Sequence, residues 1–269
     1  MTLSSRLLLA QGAALGLLTA AAVATTTTAD FEGGAAGNVG GWTYGLGPTY
    51  PTDNGISGQY MLTSNLDTFA PMLRTTGGSA FTGDYRAAGV TTVSLDLATF
   101  DVDFSAGGRP LTIMLINTHG TQTSLDDTVA YFMGPNIPVP GEGWKSYTFD
   151  IPSSSETLPD GWLMLDSNGD GTPDGDWNDA ITNVTKLQFF YGDPTFFFIF
   201  QQWDLGVDNI SITVADDPGI PGDLDGNGIV DGADLGLLLA AWGGDGPADL
   251  DGNGVVDGAD LGVLLGNWS

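Results

Sequence analysis

The chain of 269 residues has no cysteine. That absence excludes disulfides, thiolate zinc sites and cysteine catalysis. Positive charge is nearly as scarce: 6 Lys and Arg stand against 33 Asp and Glu, for a formal net charge of −27. Phosphate-backbone recognition needs cations, so nucleic acid is excluded as a partner, and anionic lipid with it. With one histidine, His119, any Ser-His-Asp triad or multi-histidine metal site would rest on that residue alone. Glutamate is rare too, at positions 32, 142 and 156, so the acidity is almost entirely aspartate. Acidity kept for solubility would draw on both acids, and Glu is the better helix former. An Asp bias beside 41 glycines points to turns, oxygen-ligand loops and cations as partners.

Residues 1–24 read as a secretory signal peptide. Arg6 supplies the positive start, Leu7 to Val23 is an apolar run rich in Leu and Ala, and Ala22-Val23-Ala24 is a small-x-small cleavage site. The competing reading is an uncleaved membrane anchor, which Gln11, Thr19 and two glycines in the run disfavour. Thr25 to Thr28 would follow as a polar spacer. Export implies a secreted or cell-surface protein, with no membrane contact once the leader is removed.

From 30 to 214 the signals are strands and turns. Val93, Leu95 and Leu97 alternate with polar residues, and Phe100, Val102 and Phe104 alternate in the opposite phase. The phase change at Ala98-Thr99 predicts a bulge or bend. Leu111 to Ile116 is continuously apolar, as a strand buried on both faces would be. Tyr147, Phe149 and Ile151, Leu187 to Tyr191, and Ile210, Ile212 and Val214 complete the set, with Gly, Pro, Asn and Asp between. No stretch here shows a 3.6-residue period. The expected fold is mainly β, a β-sandwich or jelly roll. The opening Asp30-Phe31-Glu32 and the closing Gly206 to Ile212 resemble the first and last strands of secreted galactose-binding-like jelly rolls, a fold shared by many carbohydrate-binding modules. Phe69-Ala70-Pro71 with its Gly-rich continuation is distantly similar to laminin-B-type sandwiches. Fold of this kind does not fix function.

After a Pro- and Gly-containing linker at 215–222, residues 223–269 hold two copies of one pattern. Residues 223–242 and 249–268, offset by 26, differ only at Ile229/Val255, Leu237/Val263, Ala240/Gly266 and Ala241/Asn267. A twelve-residue calcium loop needs oxygen ligands at positions 1, 3, 5, 7, 9 and 12, with Gly at 6 for the turn. Asp223, Asp225, Asn227, the Ile229 carbonyl, Asp231 (through water) and Asp234 meet that spacing, as do Asp249, Asp251, Asn253, the Val255 carbonyl, Asp257 and Asp260. Calcium takes 6–8 oxygens, whereas magnesium wants a tighter octahedron with more water, so two Ca2+ ions are the expected occupants. Without a cation, two carboxylates about 5 Å apart repel by roughly 3 kcal/mol at an effective dielectric near 20, so metal binding should drive folding.

Each loop leads into a helix. Leu235, Leu238, Leu239 and Trp242, and likewise Leu261, Leu264, Leu265 and Trp268, fall at i, i+3, i+4 and i+7, one apolar stripe per helix. Such short helices need each other, which suggests packing about a pseudo-twofold axis. Loop-helix duplicates ending in Asp at position 12 resemble type I dockerins. That resemblance implies a cohesin-like partner and a setting in extracellular polysaccharide breakdown. Two features depart from the family: the stretch between the repeats is too short for a middle helix, and loop positions 10 and 11, often recognition residues, are Gly-Ala in both copies.

A third candidate calcium loop spans 166–176, with Asp166, Asn168, Asp170, Thr172 and Asp174 at positions 1, 3, 5, 7 and 9 and Gly171 at 6. Position 12 is Trp177, for which Asp176, Asn178 or Asp179 would have to substitute. The bland reading is an acidic turn between strands.

No phosphate loop, nucleophile elbow or metalloprotease motif is present, Glu142 lies in a Pro/Gly turn, and His119 reads as a turn residue at a strand end. Trp42, Tyr44, Tyr50, Trp144, Trp162, Trp177 and Trp203 either stack on sugar rings or pack the sandwich. Phe196 to Phe200 reads as a buried strand; exposed, it would be an adhesive patch. The leading expectation is a non-catalytic secreted protein whose jelly roll binds carbohydrate or extracellular matrix and whose C-terminal module attaches it to a partner. The alternatives are a glycan-active hydrolase or lyase, and a structural envelope protein.

Overall fold

The computed structural model describes residues 24–56, 58–75, 80–215, 220–225 and 229–269. Nearly all of the leader, and Asn227 of the first loop, lie outside the described residues.

Among the described residues, ten strands build two antiparallel sheets: β1 (Thr25–Ala29), β2 (Met61–Thr68), β3 (Met72–Arg74), β4 (Val90–Val102), β5 (Pro110–Asn117), β6 (Thr128–Asn136), β7 (Lys145–Asp150), β8 (Leu163–Met164), β9 (Lys186–Tyr191) and β10 (Gln201–Val214). The first sheet runs β1-β10-β4-β7, and the second β3-β9-β5-β6-β8. Strand β10 carries two partners end to end on one edge, β2 along Gln201–Val207 and β1 along Ile210–Val214. The fold is therefore the expected β-sandwich of jelly-roll type.

Alternation explains which side chains meet between the sheets. Val93, Leu95 and Leu97 of β4, Tyr147 and Phe149 of β7, and Val207, Ile210 and Ile212 of β10 face Leu111, Ile113 and Leu115 of β5 and Leu187 and Phe189 of β9. Each such Leu or Phe contributes roughly 1.5–3 kcal/mol by leaving water. The other face of β5 is covered as well: Met114 and Ile116 pack with Val129 and Tyr131, which accounts for the unbroken apolar run. The phase change in β4 is a bulge. Asp101 opposes Asp204 and Thr99 opposes Leu205, leaving Phe100 as the extra residue.

Two elements differ from expectation. Thr25 to Thr28 form most of β1 rather than a spacer, since β-branched threonines suit an edge strand that buries only its last residue, Ala29. A helix, α1 (Trp177–Ile181), interrupts the sandwich, capped by Asp176, whose carboxylate accepts the Asp179 N–H. Five residues are too few to display a helical period.

In the C-terminal repeats, α2 (Gly232–Ala240) and α3 (Gly258–Gly266) each start with a capping box, Asp231 with Asp234 and Asp257 with Asp260. Val230, Leu238, Ala248, Val256 and Leu264 form their core, with Ile220 of the linker stretch packed beside them. Gly243 N–H donates to the Val256 carbonyl (2.8 Å) and Ser269 N–H to the Val230 carbonyl (3.1 Å). The two bonds are related by the 26-residue repeat, so each helix end closes on the other copy's loop, a pseudo-twofold arrangement. The expected single stripe splits. Leu238 and Leu264 turn inward, whereas Leu239, Trp242, Leu265 and Trp268 are about half exposed. The valines at position 8 of each loop, Val230 and Val256, take the inward places those residues were expected to fill.

Candidate functional site

The second C-terminal loop shows the donor set in full. The Asp249 carboxylate accepts the Asn253 N–H (3.1 Å) and Gly254 N–H (2.7 Å), Asp251 accepts the Asn253 N–H (3.1 Å), and the Asn253 side-chain oxygen accepts the Val255 N–H (2.9 Å). Gly252 (φ 72°) and Gly254 (φ 91°) supply the left-handed turns. Asp260, from the first turn of α3, reaches back to take the N–H groups of Leu250 (2.7 Å), Asp251 (3.0 Å) and Asp257 (2.7 Å). Burial raises the Asp260 carboxyl, but those N–H donors outweigh it and hold the group below its ordinary range. Asp234 is held down in the same way by the N–H groups of Asp231, Asp225 and Leu224. Carboxylate oxygens of Asp223, Asp225 and Asp234 lie within 4.8 Å of one another, as do those of Asp249, Asp251 and Asp260. Three mutually close carboxylates with little positive charge nearby fit a hard cation. Asp231 and Asp257 cap the helices and stand outside these triplets, as position-9 residues acting through water would.

The loop at 166–174 repeats this network bond for bond. Asp166 accepts the Asp170 N–H (3.2 Å) and Gly171 N–H (2.8 Å), Asn168 accepts the Asp170 N–H (2.8 Å), and Asp170 accepts the Thr172 N–H (3.0 Å). Gly169 (φ 77°) and Gly171 (φ 96°) match Gly252 and Gly254. Asp174 accepts the N–H groups of Ser167 (2.7 Å) and Asn168 (3.2 Å), the two loop positions that donate to Asp260 in the second loop. Asp174 thus holds the place of a twelfth residue in a loop three residues shorter, and none of the substitutes considered fills it. Asp176 caps α1, Asn178 bonds Arg86 and the Glu156 carbonyl, and Asp179 bonds Thr128 and Asn117. Among the described residues, this loop does not bring three carboxylates within 4.8 Å, because Asn168 stands where the C-terminal loops have Asp.

His119 adopts a left-handed turn (φ 50°), and its Nε2 faces both Thr128 Oγ1 (3.0 Å) and Asp179 Oδ2 (3.3 Å). With both partners on one ring nitrogen, the group is not ordered as nucleophile, base and orienter. Glu142 is an exposed turn residue paired with Lys145 at 2.7 Å. Asp208 is 1% exposed and its Oδ2 has no partner among the described residues. Desolvation, aided by Asp96, Glu32 and Asp30, pushes its carboxyl up to about 7. No sequence signal marked Asp208 as special.

The aromatics divide clearly. Trp42, Tyr44, Trp162, Trp177 and Trp203 are buried in the sandwich. Trp144 is half-buried against Tyr60, with its Nε1 donating to the Asn54 carbonyl (2.6 Å). Phe196 to Phe200 is not a buried strand. It lies in the connection from β9 to β10, with Phe196 70% and Phe197 86% exposed. This connection crosses from one sheet to the other, as do β2–β3 and β4–β5 at the same end of the sandwich. The crossings bring Phe69, Phe104 and Phe196 to Phe200 together. The Phe69 ring lies 5.8 Å from Phe197 and 5.2 Å from Phe200. Between the β4–β5 and β9–β10 crossings is an open cavity of about 520 Å³, with Arg109, Asp193 and Ser105 as its polar side chains.

No known family profile matches the chain, and no curated protein matches it. Among solved structures it is similar to the family 11 carbohydrate-binding module of Clostridium thermocellum, in complex with a mixed-linked tetrasaccharide, at 18% identity and a TM-score of 0.37 over 72% of this chain and 98% of that one. A carbohydrate esterase from Shiga toxin-encoding bacteriophage phi24B gives 13% identity and 0.37 over 72% and 100%. A non-crystalline-cellulose-specific module, CBM28, gives 13% and 0.29 over 63% and 85%. A likeness this loose concerns the sandwich fold alone.

Proposed function

We propose that this is an exported, calcium-binding glycan-binding protein. In this reading the jelly roll holds carbohydrate at the aromatic end of the sandwich, and the C-terminal repeats bind two Ca2+ ions and dock on a cohesin-like partner. The observation that carries it is the cluster of exposed Phe rings from three crossings at one end of the sandwich, two of which line an open cavity, since large exposed apolar patches mark binding surfaces. Flat apolar rings can bury the apolar face of a pyranose. Calcium rests on the two carboxylate triplets, and the 166–174 loop is proposed as a third site on its shared bonding pattern. The docking role rests on Leu239/Trp242 and Leu265/Trp268, an apolar pair left exposed in both copies.

Native gels cast with soluble polysaccharides test the glycan role. The calcium-loaded chain should be retarded by at least one neutral or sparsely charged polysaccharide, and Phe197→Ser/Phe200→Ser should run free. No retardation across a broad panel, or retardation unchanged in the double variant, would refute it.

A further inference from the structure

The aromatic cavity contains a charge that its walls do not answer. Arg109 is 7% exposed. Its guanidinium sits 4.3 Å from the centre of the Phe198 ring and 5.0 Å from that of Trp203. A guanidinium has five N–H donors, yet the hydrogen bond it makes among the described residues is Nη1 to the Phe69 carbonyl, at 3.1 Å. Among the described residues no carboxylate lies within ion-pair distance of it, in a chain with 33 acids. Leaving a cation buried without an anion is costly, and burial pulls the Arg109 pKa below its ordinary value. Two ring contacts offset part of that cost. A planar anion entering the cavity would supply the rest, because carboxylate matches the guanidinium fork.

The walls restrict the rest of the ligand. Phe104, Phe196, Phe197 and Met133 line the space with apolar faces, and a volume near 520 Å³ lies within the usual range for small-ligand pockets. Asp193 lines the same cavity beyond ion-pair distance of Arg109, and its carboxylate can accept hydrogen bonds from sugar hydroxyls. A net charge of −27 disfavours a polyanion. Resting on the glycan reading above, we propose that the cavity seats a single hexuronate residue carried on an otherwise neutral glycan. Its carboxylate lies on Arg109, and its ring lies against the Phe faces.

Calorimetric titration of the calcium-loaded full chain tests this with three sugars: xylotriose bearing one glucuronate, the methyl ester of the same compound, and xylotetraose. The acid should bind roughly 10- to 100-fold more tightly than the ester or the neutral sugar, the value of a charge-assisted hydrogen-bonded pair. Arg109→Gln should erase that preference. Phe197→Ala, at an exposed position unimportant for folding, should weaken the acid severalfold. The ester comparison needs no variant, so it stands even if Arg109→Gln does not fold. Equal affinity for acid and ester overturns the proposal while leaving the glycan reading intact. Decanoate preferred over all three sugars overturns it in favour of an apolar carboxylate. No sugar bound here, together with no retardation in polysaccharide gels, overturns both readings.

Discussion

Leu264→Ala tests how the C-terminal repeats are held together. Leu264 has no exposed surface and belongs to a buried core of five residues, Val230, Leu238, Ala248, Val256 and Leu264. Truncating a buried Leu costs about 2–5 kcal/mol. A unit of this size with one small core rarely holds more than about 3–5 kcal/mol by itself. The substitution should therefore consume most or all of the metal-free stability. Calcium at a thousand times its dissociation constant adds about 4 kcal/mol per site, so two sites should restore folding. The assay is differential scanning calorimetry of the full chain with calcium and with chelator, read beside ellipticity at 222 nm. The wild type should show a transition for the repeats that falls on chelation. In Leu264→Ala that transition should vanish in chelator and persist in calcium. Leu265→Ala, 52% exposed, should change stability by no more than about 0.5 kcal/mol. A repeat transition indifferent to calcium, or an unchanged melt of Leu264→Ala in chelator, would refute both the core and the metal linkage.

The other predictions concern stoichiometry and pH. Calcium titration of the chain should report three sites, and Asp225→Ala/Asp251→Ala should lose two of them; three sites kept in the variant would disprove the loop assignment. Asp174→Ala should remove the third site alone if Asp174 closes the short loop, whereas Asp176→Ala should weaken α1 without changing the calcium count. Asp208 gives the sandwich a pH dependence. Its folded pKa, pushed up to about 7, exceeds that of the unfolded chain, so its stabilising protonated form is fully present below about pH 4. That contribution is lost as pH rises through 7. In chelator the wild-type sandwich should lose roughly 4 kcal/mol relative to Asp208→Asn across this interval, and parallel melting profiles for the two proteins would show that Asp208 is not destabilised when charged.

The two carboxylate triplets were legible because the spacing that a hard cation requires is set within a dozen residues and needs no tertiary context. The same rule misplaced Asp174. The spacing put it at position 9, but the chain leaves the loop early to cap α1 at Asp176, and the bonds from Ser167 and Asn168 give Asp174 the closing role. Strands with one buried face were legible from their period of two. The polar β1 was not, because its pairing with β10 depends on residues nearly two hundred positions away. Asp208 and Arg109 were invisible for a related reason: a lone charge in a sequence says nothing of whether it is buried.

Two apolar runs show where local pattern fails. Leu111 to Ile116 and Phe196 to Phe200 look alike as strings, and both read as buried strands. Strand β5 is paired on both edges, by β6 and β9, and packed on both faces, so its run is wholly satisfied. The Phe run follows a turn in which the Asp193 carboxylate accepts the Thr195 N–H (2.9 Å) and the Asp193 carbonyl accepts the Phe196 N–H (3.0 Å). It then has to carry the chain from the second sheet to the first. A crossing at the end of a sandwich joins neither sheet, so its side chains cannot all reach the core. Phe198 is the one partly drawn in, over Arg109. Connectivity exposes the others, and a sequence free to place polar residues there instead placed rings. The crossings at Phe69 and Phe104 carry rings to the same end. Aromatic residues on three connections, where polar residues would serve the fold as well, fit the ligand-binding role proposed for this end of the sandwich.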